Sequence, residues 1–152
     1  MKSSLTTLLI LLLSMAAFTT DVLAQTDKTT NSELKILIHI TNGPENPTVA
    51  ALGFLMAKTA IEEGNSVTLF LAGDAVQLLR NDVLDNLSGL GTGKLREHYD
   101  TIVKGGGKFY LSGMSSKARG LTEADLVDKP FEFAMPKVLL KLSIDSDRMF
   151  VY

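Results

Sequence analysis

The chain has 152 residues, which suits one domain, and its 45% hydrophobic and 21% charged residues are typical of a globular protein. With 15 basic and 17 acidic residues the net charge is −2, so no general electrostatic attraction to nucleic acid or anionic lipid is expected. The absence of cysteine excludes disulfides, cysteine-ligated zinc, iron–sulfur clusters and any thiol nucleophile on this chain.

The N-terminal segment has the three parts of a secretory signal. Lys2 supplies a positive start, residues 5–18 are apolar apart from two threonines and one serine, and Ala24 is the small residue that signal peptidase requires. The apolar run is shorter than the span of about 20 residues that crosses a membrane. We therefore predict a signal peptide over residues 1–24, cleaved after Ala24, and not an uncleaved anchor. A flexible polar lead-in over 25–33 follows, and the protein is expected in the periplasm or secreted, without membrane association after cleavage.

The next residues alternate between strand and helix. The apolar run Lys35–Ile40 predicts a strand buried on both faces, and Ser66–Leu71 predicts the following one. Between them, Asn46 is placed to cap a helix whose first residue is Pro47 and which stops at Gly64.

Shorter elements are predicted for the second half. They are a helix over 75–80, a glycine-rich loop over 81–93, a helix over 94–104, a strand over 108–112, a loop over 113–120, a short helix opened by a capping box at Thr122–Asp125, a short strand over 131–134, a helix from Pro136 and a last strand over 148–152. Strands separated by helices imply a parallel sheet with helices on both faces, an α/β fold.

Several motifs, by their order and spacing, resemble one known family. They are Ala50–Phe54, Asn65–Phe70, Gly73-Asp74, Gly107–Gly113, Lys117–Leu121, Phe133–Pro136 and Asp147–Tyr152. Over residues 34–152 the chain resembles the DsrE/DsrF-like family, the fold of the sulfur-relay proteins. The resemblance implies a three-layer α/β/α sandwich with a five-stranded, mostly parallel sheet. It also implies oligomers, and for this chain a homo-oligomer that is a trimer or a multiple of one.

The chain departs from the family at the position of its sulfur chemistry. The resemblance implies that sulfur-carrying members hold a persulfide on a cysteine in the loop after the third long strand. The matching position here falls at or near Ser112, and the next candidate, Ser115, is also a serine. A serine hydroxyl does not carry a transferable sulfane sulfur as a thiolate does, which argues against persulfide relay by this chain.

Polar residues gather where ligands bind in open α/β sheets, outside the carboxyl ends of the strands. Hydroxyls, a lysine and an arginine in one loop suit a small molecule or an anion. The same residues also serve elsewhere as turn caps, solvated charges or contacts with a neighbouring subunit. The candidate ligand-binding residues are Thr41, Asn42, Asp74, Ser115, Ser116, Lys117 and Arg119.

His39 and Ser112 are the candidate catalytic residues. His39 lies in an apolar strand, where a histidine serves as a general base near the crevice or as a hydrogen-bonded core residue. Ser112 lacks the Gly-x-Ser-x-Gly context of a nucleophilic serine. His98 lies in a charged helix and is predicted to be solvated, and two distant histidines without clustered carboxylates predict no metal site. The glycine runs 89–93 and 105–107 lack the context of a phosphate loop, so no cofactor is predicted.

Two functions of different classes remain open. The first is a non-catalytic, exported homo-oligomer that binds a small ligand or a partner protein. The second is a thiol-independent enzyme, or a sulfur-metabolism accessory protein, that uses the crevice around His39, Ser112 and Arg119. A closed or subunit-filled crevice favours the first function, and an open pocket where His39 and Arg119 converge favours the second.

Overall fold

The structure, a computed structural model, describes residues 32–152, so the predicted signal peptide and most of the lead-in lie outside the described residues. In chain order the elements are β1 (Lys35–Ile40), α1 (Pro47–Glu62), β2 (Ser66–Leu71), a 3-10 helix (Gly73–Leu79), α2 (Asn81–Asn86), β3 (Ser88–Gly89), β4 (Gly93–Lys94), α3 (Leu95–Lys104), β5 (Lys108–Ser112), α4 (Gly113–Ala118), a second 3-10 helix (Glu123–Leu126), β6 (Glu132–Ala134), α5 (Pro136–Asp145) and β7 (Arg148–Val151). Within residues 32–152, none of the helices is both long enough and apolar enough to pass through a membrane.

Five strands form one parallel sheet in the order β6-β5-β2-β1-β7. The expected α/β fold with a five-stranded sheet is therefore confirmed. The strands predicted over 35–40, 66–71 and 108–112 have the predicted bounds. The capping box at Thr122 is also confirmed and opens the second 3-10 helix. The two-residue strands β3 and β4 form a separate antiparallel hairpin.

The two faces of the sheet are covered to different extents. On one face, α1 and α3 pack over the central strands in the main hydrophobic core, which includes Ile38, Leu69 and Phe109. On the other face, α5 covers a smaller cluster around Leu37 and Phe70. Every residue of α5 stays at least partly exposed, and all four residues of β7 are exposed. The side of the sheet that carries α5 is therefore the less protected one.

Helix α1 approaches β1 closely at Gly53. A Cβ atom at this position would lie 2.5 Å from Cδ1 of Ile40 and 3.3 Å from Cδ2 of Tyr152. Small buried residues on the same helix, among them Ala50 and Ala57, continue this close contact. The small residues of the helix thus allow it to lie close to the sheet.

Two segments predicted as loops contain regular elements. Residues 81–93 form α2 and the β3–β4 hairpin, and residues 113–120 contain α4. Both helices have six residues, too few for an apolar periodicity to be recognised. Leu84 of α2 is fully buried in the main core, and Ser112 caps α4. Contacts with the rest of the fold and a cap therefore stabilise helices that the local sequence does not indicate.

Two predictions about single side chains are wrong. Asn46 precedes α1 as expected, but its side chain makes no capping bond and donates instead to Oδ1 of Asn42 at 3.2 Å. His98, predicted to be solvated, is 6% exposed, and its Nε2 bonds the carbonyl oxygen of Thr92 at 2.7 Å. Its helix is amphipathic, and His98 falls on the buried stripe with Leu95, while the charged neighbours face outward.

Candidate functional site

The serines at the end of β5 form a hydrogen-bonded cluster. Ser112 is the N-cap of α4, and its Oγ accepts from the amide of Ser115 at 3.3 Å and from the Ser115 hydroxyl at 3.1 Å. The Ser115 Oγ in turn accepts from the amide of Gly73 at 3.0 Å. These hydroxyls therefore tie α4 to the loop that follows β2, and each of them satisfies backbone N–H groups.

An ion pair joins the same two loops. Nε of Arg119 donates to Oδ1 of Asp74 at 2.7 Å. The hydrogen bond from Arg119 lowers the pKa of Asp74, and the same bond raises the pKa of Arg119, with a further contribution from the charge of Glu45. Arg119 also donates through Nη1 to the carbonyl oxygen of Ser115 at 3.4 Å. The guanidinium is thus held by groups of this chain.

The loops after β1 and β2 are in direct backbone contact. The amide of Ala75 donates to the carbonyl oxygen of Thr41 at 3.3 Å. A Cβ atom at Gly43 would lie 2.5 Å from the carbonyl oxygen of Asp74. The Thr41 hydroxyl donates to the main-chain oxygen of Tyr152 at 3.1 Å. Contacts within the chain therefore occupy the strand-end crevice at these positions.

Ser116 and Lys117 lie on the far side of α4. Ser116 is 2% exposed, and within residues 32–152 its Oγ has no hydrogen-bond partner. Lys117 is exposed and borders a shallow cleft of about 390 Å³, whose walls also include Leu121 and Phe133. The lining of this cleft is largely apolar, so α4 separates it from the polar cluster of Ser112 and its partners.

His39 lies on the sheet face that α5 covers. Its ring packs edge-on against Phe70, with centroids 5.8 Å apart, and its register partner on β7 is Val151. Its Nε2 is buried, and no described residue hydrogen-bonds to it. Burial lowers the pKa of His39 from its ordinary value of 6.5. The imidazole is therefore favoured in its neutral form.

The structure brings together only part of the predicted site. Asp74, Ser112, Ser115 and Arg119 are joined by hydrogen bonds at the strand ends. Among residues 32–152, no hydrogen bond or ion pair links His39 to Ser112 or Arg119. In the same range, no three His, Asp or Glu side chains are grouped in a way that could hold a metal ion.

Sequence reasoning missed two residues that hold this region. Glu45 accepts a hydrogen bond from the amide of Gly43 at 2.8 Å, and its charge acts on Arg119. Arg80 pairs with Asp125 at 3.2 Å and also donates to the carbonyl oxygen of Arg119 at 3.3 Å. The partners of Arg80 lie 39 to 45 residues away along the chain, so no local pattern indicates them.

The sequence model of the DsrE/DsrF-like family matches residues 34–152. The chain therefore belongs to the DsrE/DsrF-like family, and the resemblance drawn from its motifs is confirmed. No curated protein matches the chain.

Solved structures share the fold. The YchN protein from E. coli is 17% identical, with a TM-score of 0.65, and the match covers 78% of this chain and 99% of that one. MTH1491 from Methanobacterium thermoautotrophicum, a protein of unknown function, is 12% identical, with a TM-score of 0.57 and coverage of 79% and 100%. BT1422 from Bacteroides thetaiotaomicron, also of unknown function, is 15% identical, with a TM-score of 0.57 and coverage of 78% and 94%. At these identities the likeness establishes the fold alone.

Proposed function

We propose that this protein is an exported, non-catalytic member of the DsrE/DsrF-like family that binds a small ligand or a partner protein as a homo-oligomer. The observation that carries the proposal is the structural use of Ser112. This residue stands at or near the place where the resemblance puts the sulfur-carrying cysteine, and its hydroxyl caps α4. The position therefore serves the fold with a group that cannot form a persulfide.

The arrangement of the other candidate residues supports a non-catalytic role. Arg119 is paired with Asp74, and the hydroxyls of Ser112 and Ser115 are bonded to each other. A nucleophilic serine needs a base within hydrogen-bond reach, and His39 packs instead against Phe70 on the sheet face. The contacts across the strand-end crevice favour the first of the two functions considered above.

The exposed apolar residues of α5 and β7 support self-association. We name them the β7 face: Leu140, Ile144, Met149 and Val151, which are 61%, 72%, 41% and 63% exposed. β7 is an edge strand, and an exposed apolar edge favours association with another chain. A second copy of this chain is the proposed occupant, because the family resemblance implies oligomers.

Light scattering on the purified protein at micromolar concentration tests the assembly. We expect the mass of a trimer or a multiple of it, and loss of assembly in the double variant Ile144→Asp, Val151→Asp. Leu90→Asp is the matched control, because Leu90 is 90% exposed on the hairpin that packs against α1, on the other side of the sheet. A monomer mass for the unmodified protein would contradict the proposed homo-oligomer.

Incubation with a persulfide donor tests the absence of sulfur transfer. Sulfur transfer proceeds by thiolate attack, so the purified protein should show no mass increase of about 32 Da, one sulfur atom. Native mass spectrometry of the same preparation should reveal a co-purifying small molecule if the ligand is small. Addition of sulfur to the unmodified protein would contradict the proposed non-catalytic function.

A further inference from the structure

His39 lies next to the β7 face without a hydrogen-bond partner for its buried nitrogen. It is the register neighbour of Val151, which is 63% exposed and belongs to that face. Its Nε2 is buried and has no hydrogen-bond partner among residues 32–152, and the ring of Phe70 packs edge-on against the imidazole. A second copy seated on the β7 face would therefore remove more water from the imidazole.

The described charged groups on this side of the sheet leave the imidazole without a counter-charge. By strand alternation, the titratable residues on the same sheet face are Lys35 of β1, Lys108 and Tyr110 of β5 and Glu132 of β6. Asp147 precedes β7, and its carboxylate accepts from the amide of Lys35, four residues from His39 along β1. Three strand spacings separate Glu132 from β1, about 14 Å at the usual distance between strands. The α5 helix adds Lys137, Lys141 and Asp145, and the carboxylate of Asp145 is paired with Lys141.

The remaining nearby group is the end of β7. The main-chain oxygen of Tyr152 accepts from the amide of Thr41 at 2.8 Å and from its hydroxyl at 3.1 Å. This oxygen therefore accepts both hydrogen bonds from Thr41. Burial is the cause that lowers the pKa of His39. A protonated imidazole at this place would be desolvated, and among residues 32–152 no side-chain carboxylate forms an ion pair with His39.

We propose that His39 makes assembly through the β7 face depend on pH, so that subunits associate when its imidazole is neutral and separate when it is protonated. The inference rests on the proposed homo-oligomer. Protons bind more weakly to the assembled subunit than to the free one, in which burial already holds the pKa of His39 below 6.5, so the contribution of His39 to assembly is complete above the pKa of the free subunit and is lost as the pH falls below it. For each subunit, each pH unit below the pKa of the free subunit lowers the association constant by up to about tenfold, until the still lower pKa of the assembled state is reached.

Sedimentation velocity at about pH 7.5 and about pH 5 tests the dependence, because histidine ordinarily titrates between these values and burial shifts the titration of His39 toward the lower one. We expect the wild-type protein to dissociate at the lower pH and the His39→Gln variant to stay assembled at both. The chain contains two histidines, so His98→Gln is the matched control and should dissociate as the wild type does. Circular dichroism at both pH values verifies that each variant is folded.

The outcomes separate this inference from the proposed function. A wild-type protein that is monomeric at both pH values contradicts the homo-oligomer itself. An oligomer of the same size at both pH values, or a dissociation that persists in His39→Gln, overturns the role of His39 but does not contradict the homo-oligomer. If His39→Gln fails to fold, an NMR titration of the two imidazoles decides: one should titrate at lower pH in concentrated than in dilute wild-type samples, and identical curves overturn the inference.

Discussion

The hydroxyl of Ser112 receives two hydrogen bonds from Ser115, one from the amide and one from the side chain. An oxygen acceptor is well suited to this N-cap, whereas a thiol sulfur accepts hydrogen bonds weakly. The N-terminus of α4 would, however, stabilise a thiolate at the same place, since helix N-termini lower the pKa of cysteine. One backbone geometry can thus serve a cap with serine and sulfur chemistry with cysteine.

The Ser112→Cys variant separates these two uses. We expect the new thiol to react with a thiol probe faster than one introduced by Asp100→Cys, because Asp100 is exposed in the middle of α3, away from the helix N-terminus that would stabilise a thiolate. Loss of the serine cap should also lower the free energy of unfolding by about 1 kcal/mol, measured by urea denaturation. Equal reactivity at the two sites would mean that the surroundings of residue 112 do not favour a thiolate.

The ion pair between Asp74 and Arg119 should make stability depend on pH. The pKa of Asp74 is lowered by its hydrogen bond to Arg119, so the folded state holds this proton less tightly than the unfolded chain. The contribution is therefore present above the ordinary value of 3.8 and is lost as the pH falls through the lowered pKa. We expect Asp74→Asn to reduce the urea midpoint at neutral pH, and the difference from the wild type to shrink as the pH falls through the lowered pKa of Asp74.

Asp82→Asn is the control for this experiment, because Asp82 is exposed at the start of α2 and forms no ion pair within the described residues. The Asp74→Asn, Arg119→Gln double variant should lose less free energy of unfolding than the two single variants lose in sum. Additive losses would show that the two side chains act separately.

At the scale of elements, the strands were predictable and the short helices were not. β1, β2 and β5 are continuous apolar runs because both their faces are buried, and that pattern is visible locally. α2 and α4 depend on distant contacts, such as the bond between Ser115 and Gly73, which are 42 residues apart.

The candidate site was predictable to a similar degree. Strand ends of a parallel sheet meet at one edge, so the sequence placed Asp74, Ser115 and Arg119 near one another, and they are in contact. It did not indicate that Ser112 caps a helix, or that the Nε2 of His39 is buried without a partner among the described residues. Those features depend on side-chain packing. Ligand binding by these residues stays a prediction.

The contact between the loops after β1 and β2 predicts a strict requirement for glycine at position 43. A methyl group on Gly43 would meet the backbone carbonyl of Asp74 at 2.5 Å, and backbone atoms cannot move aside as a side chain can. We expect Gly43→Ala to lower the free energy of unfolding by about 1–3 kcal/mol, as overpacking does, measured by chemical denaturation.

Gly113→Ala is the matched control. A Cβ atom there would have its nearest neighbour at an ordinary distance of 3.7 Å, the carbonyl oxygen of Ala134. Since Gly113 is the first residue of α4, alanine should be neutral or stabilising by up to about 1 kcal/mol. Equal destabilisation by both substitutions would contradict the role given to the loop contact.

At the scale of the whole molecule, the uneven covering of the sheet agrees with the proposed assembly. One face is packed beneath α1 and α3, and the other retains the exposed side chains of the β7 face. Export is a separate prediction that concerns residues outside the described range.

Export predicts a defined N-terminus. The signal pattern over residues 1–24 should be removed by signal peptidase, so the mature chain should begin at Gln25. Intact-mass analysis of the protein from the periplasm or the medium measures this. Recovery of the full-length chain in the membrane fraction would identify the segment as an anchor.

The strand order has a consequence for the folding pathway. β1 is paired on one side with β2, which follows it closely in the chain, and on the other side with β7, the last strand. Asp147 closes this pairing by accepting from the amide of Lys35, across 112 residues. During synthesis, one edge of the first strand therefore stays open until almost the whole chain has emerged. Closing so long a loop is slow, and the rate at which the C-terminal segment docks should set the time for which the nascent sheet is exposed to aggregation.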